Sequence, residues 1–139
     1  MGTISFTNQE VSLQLRDKLL LKSFLMTIFT KEGKKFKSLS YIFCTDQFLL
    51  KLNQQYLNHD TFTDILTFAL SNSPLPIVAE IYISVDRVKE NARDLKIDFL
   101  TELKRVMIHG ILHLCGYEDH TKAEKKLMRE KEDHYLQDI

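Results

Sequence analysis

Cysteine, glycine, net charge and long apolar runs are all scarce in this 139-residue chain, and each shortage removes a class of function. The two cysteines, Cys44 and Cys115, fall in a strand-like and a helix-like segment and form no CxxC pair, which excludes a disulfide scaffold. The four glycines form neither GxGxxG nor GxxxxGK with a following Ser or Thr, which argues against a dinucleotide or P-loop phosphate cradle. Nineteen basic residues balance nineteen acidic ones and the pI is near 7.0. A general nucleic-acid coat needs a strong positive field, so only a local basic groove remains open. The apolar stretches are too short to span a bilayer, and no secretory leader is recognised. A cytoplasmic protein with no membrane partner is expected. What is present is the material of a core: 44% hydrophobic residues, with nine Phe and five Tyr. A single globular domain over residues 1–139 is the expectation.

Periodicity organises the rest of the chain. ISF at 4–6 reads as a short first strand, and apolar residues at helical spacing (Leu15, Leu19, Phe24 or Leu25, Ile28) predict a helix from Val11 to about Phe29. KEGKKFK at 31–37 reads as a charged turn and SLSYIFCT at 38–45 as a strand, after which Asp46 is placed to cap a helix carrying Phe48, Leu49, Leu52 and Tyr56. NHDTFTD at 58–64 is loop chemistry. Two strands follow, at 65–70 and 77–85, the second with Ala79, Ile81, Ile83 and Val85 on one greasy face. Helices are expected from Asp86 to about Lys96, from Asp98 to Leu114 and from Thr121 to Tyr135. The order β-α-β-α-β-β-α-α-α implies an α+β fold, a small mixed sheet covered by helices.

HGILHLCGYEDH, His109 to His120, holds three of the five histidines. On a wheel from Asp98 to Leu114, Leu100, Leu103, Met107, Ile111 and Leu114 form one apolar stripe. His109 and His113 lie together at its border, ~40° apart in azimuth and ~6 Å apart along the axis. Such an i, i+4 pair grips zinc from two sides. Gly116 is placed to end the helix in the left-handed region and turn the chain back, so that Asp119 or His120 arrives in time to close the site. HxxxHxxGxxD is a way to build a three-ligand zinc site that keeps one position open. One zinc ion per chain is expected on His109, His113 and Asp119, with His120 as the alternative third ligand. His59 and His134 read as solvated, Cys115 as a small core residue, and the mixed-charge run 122–132 as a solvated helical face. Lys122, Lys125, Lys126 and Arg129 on that run are the candidates for touching phosphates.

HGILHLCGYEDH resembles the HGxLHLxGYDH motif of the YbeY family, the bacterial rRNA-maturation endoribonucleases. LNQQYLNHDTFTDILTF at 52–68 is similar to that family's LNxxYRxxDxPTDVLSF segment, and AEIYIS at 79–84 to its GDIxIS strand. The resemblance implies a zincin-like α+β fold, a zinc ion, and cleavage of single-stranded RNA linked to 16S rRNA maturation and ribosome quality control. Three positions depart from the pattern. The family's last histidine lies ten residues after the first, where this chain has Asp119, and His120 comes one place late; register favours Asp119. The arginine of LNxxYR is Leu57 here, with Lys51 or Arg87 as conceivable substitutes. The small-acidic pair of the strand is Ala79–Glu80, so Glu80 keeps a carboxylate that either approaches the metal or is an ordinary strand residue.

Chemistry separates the remaining readings. In HExxH peptidases a glutamate after the first histidine takes the proton from metal-bound water; here that position is Gly110, whose small size suits a close approach by substrate or a strand. Amide hydrolysis needs proton delivery to a poor leaving group, whereas RNA cleavage asks less of the side chains. A metal-dependent endoribonuclease acting on single-stranded RNA is therefore expected, with Tyr82 or Tyr117 as base-stacking candidates. The alternatives are a zincin-type peptidase and a non-catalytic ribosome-associated zinc protein whose site would be closed by both Asp119 and His120.

Overall fold

The computed structural model describes residues 2–139. Its strands are β1 (Thr3–Asn8), β2 (Phe36–Cys44), β3 (Ile65–Ala69) and β4 (Ile77–Ser84), and its helices are α1 (Lys18–Lys31), α2 (Asp46–Leu57), α3 (Val85–Leu95), α4 (Phe99–Leu114) and α5 (Lys122–Leu136). The strands form a mixed sheet in the order β1-β2-β4-β3. β1 and β2, and β2 and β4, run parallel, while β3 pairs antiparallel with β4 and forms an edge. The α+β class and the element order follow the sequence pattern.

The two faces of the sheet are covered unequally. Ile81 and Ile83 of β4 and Leu39, Tyr41 and Phe43 of β2 are fully or nearly fully buried in one large cluster with α1 and α4. Tyr41 also donates its hydroxyl to the Met107 carbonyl of α4 at 2.8 Å, satisfying a phenol that would otherwise be stranded in the core. On the opposite face a smaller cluster, Cys44, Leu49 and Leu66 with Phe48, Leu52, Phe68 and Tyr82 packed around it, holds α2.

Three expectations need correcting. Residues 11–17 are not helical; Val11, Leu13 and Leu15 are half-buried in alternation with exposed neighbours, the period of an extended strap. The Asn8 side chain pins this strap by donating to the Leu13 carbonyl at 2.8 Å. The helix begins at Lys18 and buries Leu21, Leu25, Ile28 and Phe29, leaving Leu19 83% exposed. The short apolar strap had supplied a false first turn. Second, Thr45 rather than Asp46 caps α2, accepting from the Phe48 amide at 3.1 Å. Asp46 instead accepts from Ser84 Oγ and Arg87 Nη2, each at 2.8 Å. Third, Val85 opens α3 instead of closing β4, with Ser84 as the cap.

α4 is the central helix. Leu103, Met107 and Ile111 of the expected stripe are buried, but so are Ile108 and Leu112 on its other side, while Leu100 is exposed. The sheet, α1, α3 and α5 all pack on this helix, so a single stripe underestimates its burial. Gly110 faces the sheet: a Cβ there would lie 2.7 Å from Ile81 Cδ1 and 3.1 Å from Ile65 Cδ1. The glycine therefore serves close approach of α4 to β3 and β4. A glutamate at 110 would meet the core of the protein.

Candidate active site

The α4–α5 connection is built to hold one loop in one shape. At the end of α4 the Gly116 amide donates to the His113 carbonyl at 3.1 Å and the Tyr117 amide to the Leu112 carbonyl at 3.0 Å, with Gly116 at φ 108°. These two bonds make a Schellman stop, which needs a residue tolerant of positive φ at that position. At the start of α5, Thr121 and Glu124 form a reciprocal capping box. Glu124 Oε1 also accepts from the His120 amide at 3.2 Å. Seven residues, 115–121, are thereby fixed at both ends.

This loop turns Asp119 inward and His120 outward. Asp119 Oδ2 lies 3.5 Å from His109 Nε2, while the His120 side chain is 78% exposed and pairs with Glu118 at 3.2 Å. Beneath His109 lies Glu132 of α5, only 4% exposed. His109 Nδ1–H donates to Glu132 Oε2 at 2.7 Å. In the neutral ring this places the lone pair on Nε2, directed toward Asp119. Burial alone lowers the imidazole pKa, but the Glu132 hydrogen bond and the charges of Glu132, Asp119 and Asp64 outweigh it, so the proton is held more tightly than usual.

His113, one turn further along α4, is exposed, and its Nδ1–H donates to the Tyr117 carbonyl at 3.2 Å. A carbonyl only accepts, so His113 is also set in the tautomer that presents Nε2. Its ring is not gathered with the other two, and among the described residues no three His, Cys, Asp or Glu side chains converge as a preformed metal cage. The structure brings together His109 and Asp119, and leaves His113 a helical turn away and His120 outside.

His109 and Asp119 line a cavity of about 260 Å³ together with Asp64, Ile65, Arg105, Lys125, Arg129 and Glu132. Arg105 Nη1 reaches Asp133 at 2.8 Å and Glu132 at 3.4 Å, and Arg129 Nη1 lies 3.7 Å from Glu132. The rim therefore carries positive charge over a floor of carboxylates. Two imidazoles and a carboxylate are the donor set of open zinc sites. Here each imidazole already has its Nδ1–H engaged by an oxygen acceptor, the arrangement that orients histidine ligands. In donor type and imidazole orientation these residues suit a zinc ion, which would draw His113 in to join His109 and Asp119.

A family model described as Endoribonuclease YbeY matches residues 3–139. The chain is 48% identical over 133 residues to the endoribonuclease YbeY of Flavobacterium psychrophilum, covering 96% of this chain and 94% of that protein. It is 45% identical to the corresponding protein of Cytophaga hutchinsonii, covering 94% and 92%. The chain belongs to the endoribonuclease YbeY family. The solution structure of TM1509 from Thermotoga maritima superimposes with a TM-score of 0.66 at 35% identity, covering 96% of this chain and 86% of that one.

Within the YbeY fold several sequence expectations find a different place. Leu57 is the last residue of α2, exposed and away from the cavity, and neither Lys51 nor Arg87 lines it. Arg87 is held by Asp46 at 2.8 Å and Glu90 at 3.4 Å, with its guanidinium over the Phe62 ring. The cavity takes its cations from α4 and α5 instead. Glu80 and Tyr82 line a separate hollow on the α2 face, where Tyr82 donates to Glu80 at 3.2 Å, so Glu80 does not approach the histidines. Tyr117 donates its hydroxyl to Glu32 at 2.7 Å, which makes it a structural tie and not a stacking platform. Cys115 is buried, as expected, and burial pushes its thiol up to about 12.

The residues missed from sequence are Asp64, Arg105 and Glu132. Glu132 was counted in a solvated run, yet it sits between buried Met128 and Tyr135 at helical spacing. A carboxylate on an apolar stripe was the available signal. Asp64 stood inside a matched motif with nothing in its own spacing to single it out.

Proposed function

We propose that this chain is a zinc-dependent endoribonuclease that cleaves single-stranded RNA, acting in 16S rRNA maturation and ribosome quality control. The observation that carries this reading is the presentation of His109 Nε2 beside Asp119, backed by buried Glu132, in a cation-rimmed cavity. Family membership supports the nuclease class; the ribosomal substrate rests on the resemblance of the motifs.

His109, His113 and Asp119 would hold the zinc. The ion, when bound, supplies Lewis acidity and lowers the pKa of a coordinated water to about 7. Glu132 and the Tyr117 carbonyl orient the two imidazoles and raise their basicity as donors. Arg105, Lys125 and Arg129 provide charge-assisted contacts for the phosphates on either side of the scissile bond. A single strand can bring its backbone down to a half-open cavity of this size, which is narrow for a duplex.

Two other readings lose ground on specific observations. A peptidase of the HExxH type needs a base at position 110, where a side chain would strike Ile81. A closed structural site needs His120, which pairs with Glu118 at the surface.

The test is cleavage of a labelled single-stranded RNA and its duplex by metal-loaded protein, chelated protein and a His113→Ala variant. Cutting confined to the loaded wild type and the single strand is expected. Undiminished cutting by chelated protein, or loss of cutting with full metal retained in His113→Ala, would refute the zinc assignment.

A further inference from the structure

This inference rests on the ribonuclease reading of the site and concerns the proton of the attacking oxygen. Phosphodiester hydrolysis needs a group that receives this proton, and position 110 cannot offer one. Three carboxylates line the cavity: Asp64, Asp119 and Glu132. Glu132 is committed to His109 at 2.7 Å and to Arg105 at 3.4 Å, and Asp119 faces His109 at 3.5 Å. Asp64 is different. Among the described residues it has no cationic partner within ion-pair distance, and its side-chain contact is Asn91 Nδ2, donating to Oδ2 at 3.3 Å.

Asp64 is nevertheless held firmly in place. It immediately precedes the edge strand β3, and its carbonyl accepts from the Ser84 amide at 2.9 Å, which locks its backbone to the end of β4. Ile65, its neighbour, packs against Gly110 of α4, so the aspartate is set at a fixed height beside the histidine helix. Asp64 lines the cavity from the sheet side, and His109, Arg129 and Lys125 line it from the helices. A carboxylate that lines the cavity with no ion pair to hold its charge is available to take a proton there.

We propose that Asp64 is the catalytic base of RNA hydrolysis in this protein, taking the proton from the attacking water in the His109 cavity. The water O–H bond breaks and its proton goes to an Asp64 carboxylate oxygen. The water oxygen forms the new bond to phosphorus, the ester P–O bond breaks, and the leaving oxygen is protonated from solvent. Asp64 then returns its proton to solvent. The products are a linear phosphate monoester and a free hydroxyl.

The test compares wild type, Asp64→Asn, Asp64→Glu and Asn91→Ala on a single-stranded RNA of defined sequence. Each is assayed for zinc stoichiometry, RNA affinity, kcat and the chemistry of the product ends. Asp64→Asn should lose about 10²- to 10⁴-fold in kcat, with zinc content and RNA affinity within about threefold of wild type. Asp64→Glu should recover part of the loss, and Asn91→Ala should cost less than Asp64→Asn. A kcat for Asp64→Asn within threefold of wild type overturns the role, as does loss of zinc or RNA binding in parallel with kcat. The wild-type products decide independently of how the variants fold: linear phosphate is expected, and a 2′,3′-cyclic phosphate overturns the assignment of water as nucleophile. Should loaded wild type cut no RNA at all, the ribonuclease reading itself fails; should it cut while Asp64→Asn cuts equally well, only the role of Asp64 does.

Discussion

Glu32 and Glu132 are both largely withdrawn from water and both held by several donors, Glu32 against α5 and Glu132 from α5 against α4, but the donors differ in kind. Glu32, at the end of α1, accepts from the Tyr117 hydroxyl at 2.7 Å, from the Tyr135 hydroxyl, and from Lys131 at 3.5 Å. Every partner is a group whose job ends with the contact. Burial raises the Glu32 pKa, but the tyrosine hydrogen bonds and Lys131 prevail, and its carboxyl lies below the ordinary range. Glu132 accepts from His109, a group with a second nitrogen facing a cavity, and from Arg105. The first carboxylate closes a joint between helices. The second passes its influence through an imidazole to the site. Burial alone does not distinguish structural from functional carboxylates; what lies beyond the partner does.

This contrast can be broken by experiment. The largest effect should come from the imidazoles themselves: exchanging both His109 and His113 for alanine should take zinc from one per chain to none and abolish cleavage, read by metal analysis and RNA assay. Next, Glu132→Gln keeps the shape but weakens the acceptor, and should cost about 10- to 100-fold in metal affinity, measured by competition with a chelator. If affinity were unchanged, Glu132 would be merely another joint.

Glu32→Gln should do the reverse. Its expected cost is roughly 1–3 kcal/mol of stability, measured by urea unfolding, with metal affinity within about threefold of wild type. The sign with pH follows from the lowered pKa. The stabilisation is complete above the unfolded-state pKa, about 4.3 for glutamate, and is lost as pH falls through the lower folded value. The difference in stability between wild type and Glu32→Gln should therefore shrink on acidification below pH ~4.3. Smallest of all, Arg129→Ala at the rim should leave zinc content alone and reduce the salt slope of RNA binding by about one.

The sequence reading and the structure part company at particular residues. HxxxH on an amphipathic helix and a glycine three residues later are local features, and their consequences are local: His109 and His113 on one helix face, Gly116 at positive φ, and a return of the chain at Asp119. The β3 and β4 strands were legible for the same reason, since alternation depends only on neighbours along the chain. The first helix was misplaced because Leu15 continues a helical spacing by coincidence, and only packing shows that Val11, Leu13 and Leu15 belong to a strap.

What the sequence determined by itself is therefore the element order, the mixed α+β class, the histidine pair and the helix stop that follows it. The tertiary structure alone decided that Asp119 meets His109 while His120 faces outward, that Glu132 lies under the imidazole from twenty-three residues away, and that Asp64 shares the cavity. It also turned Gly110 against Ile81 and sent Glu80 and Tyr82 to the far face of the sheet. The physical reason is one of range. Backbone geometry fixes side-chain direction over a turn of helix or a pair of strand residues, whereas the approach of α5 and β3 to α4 depends on how the whole core closes.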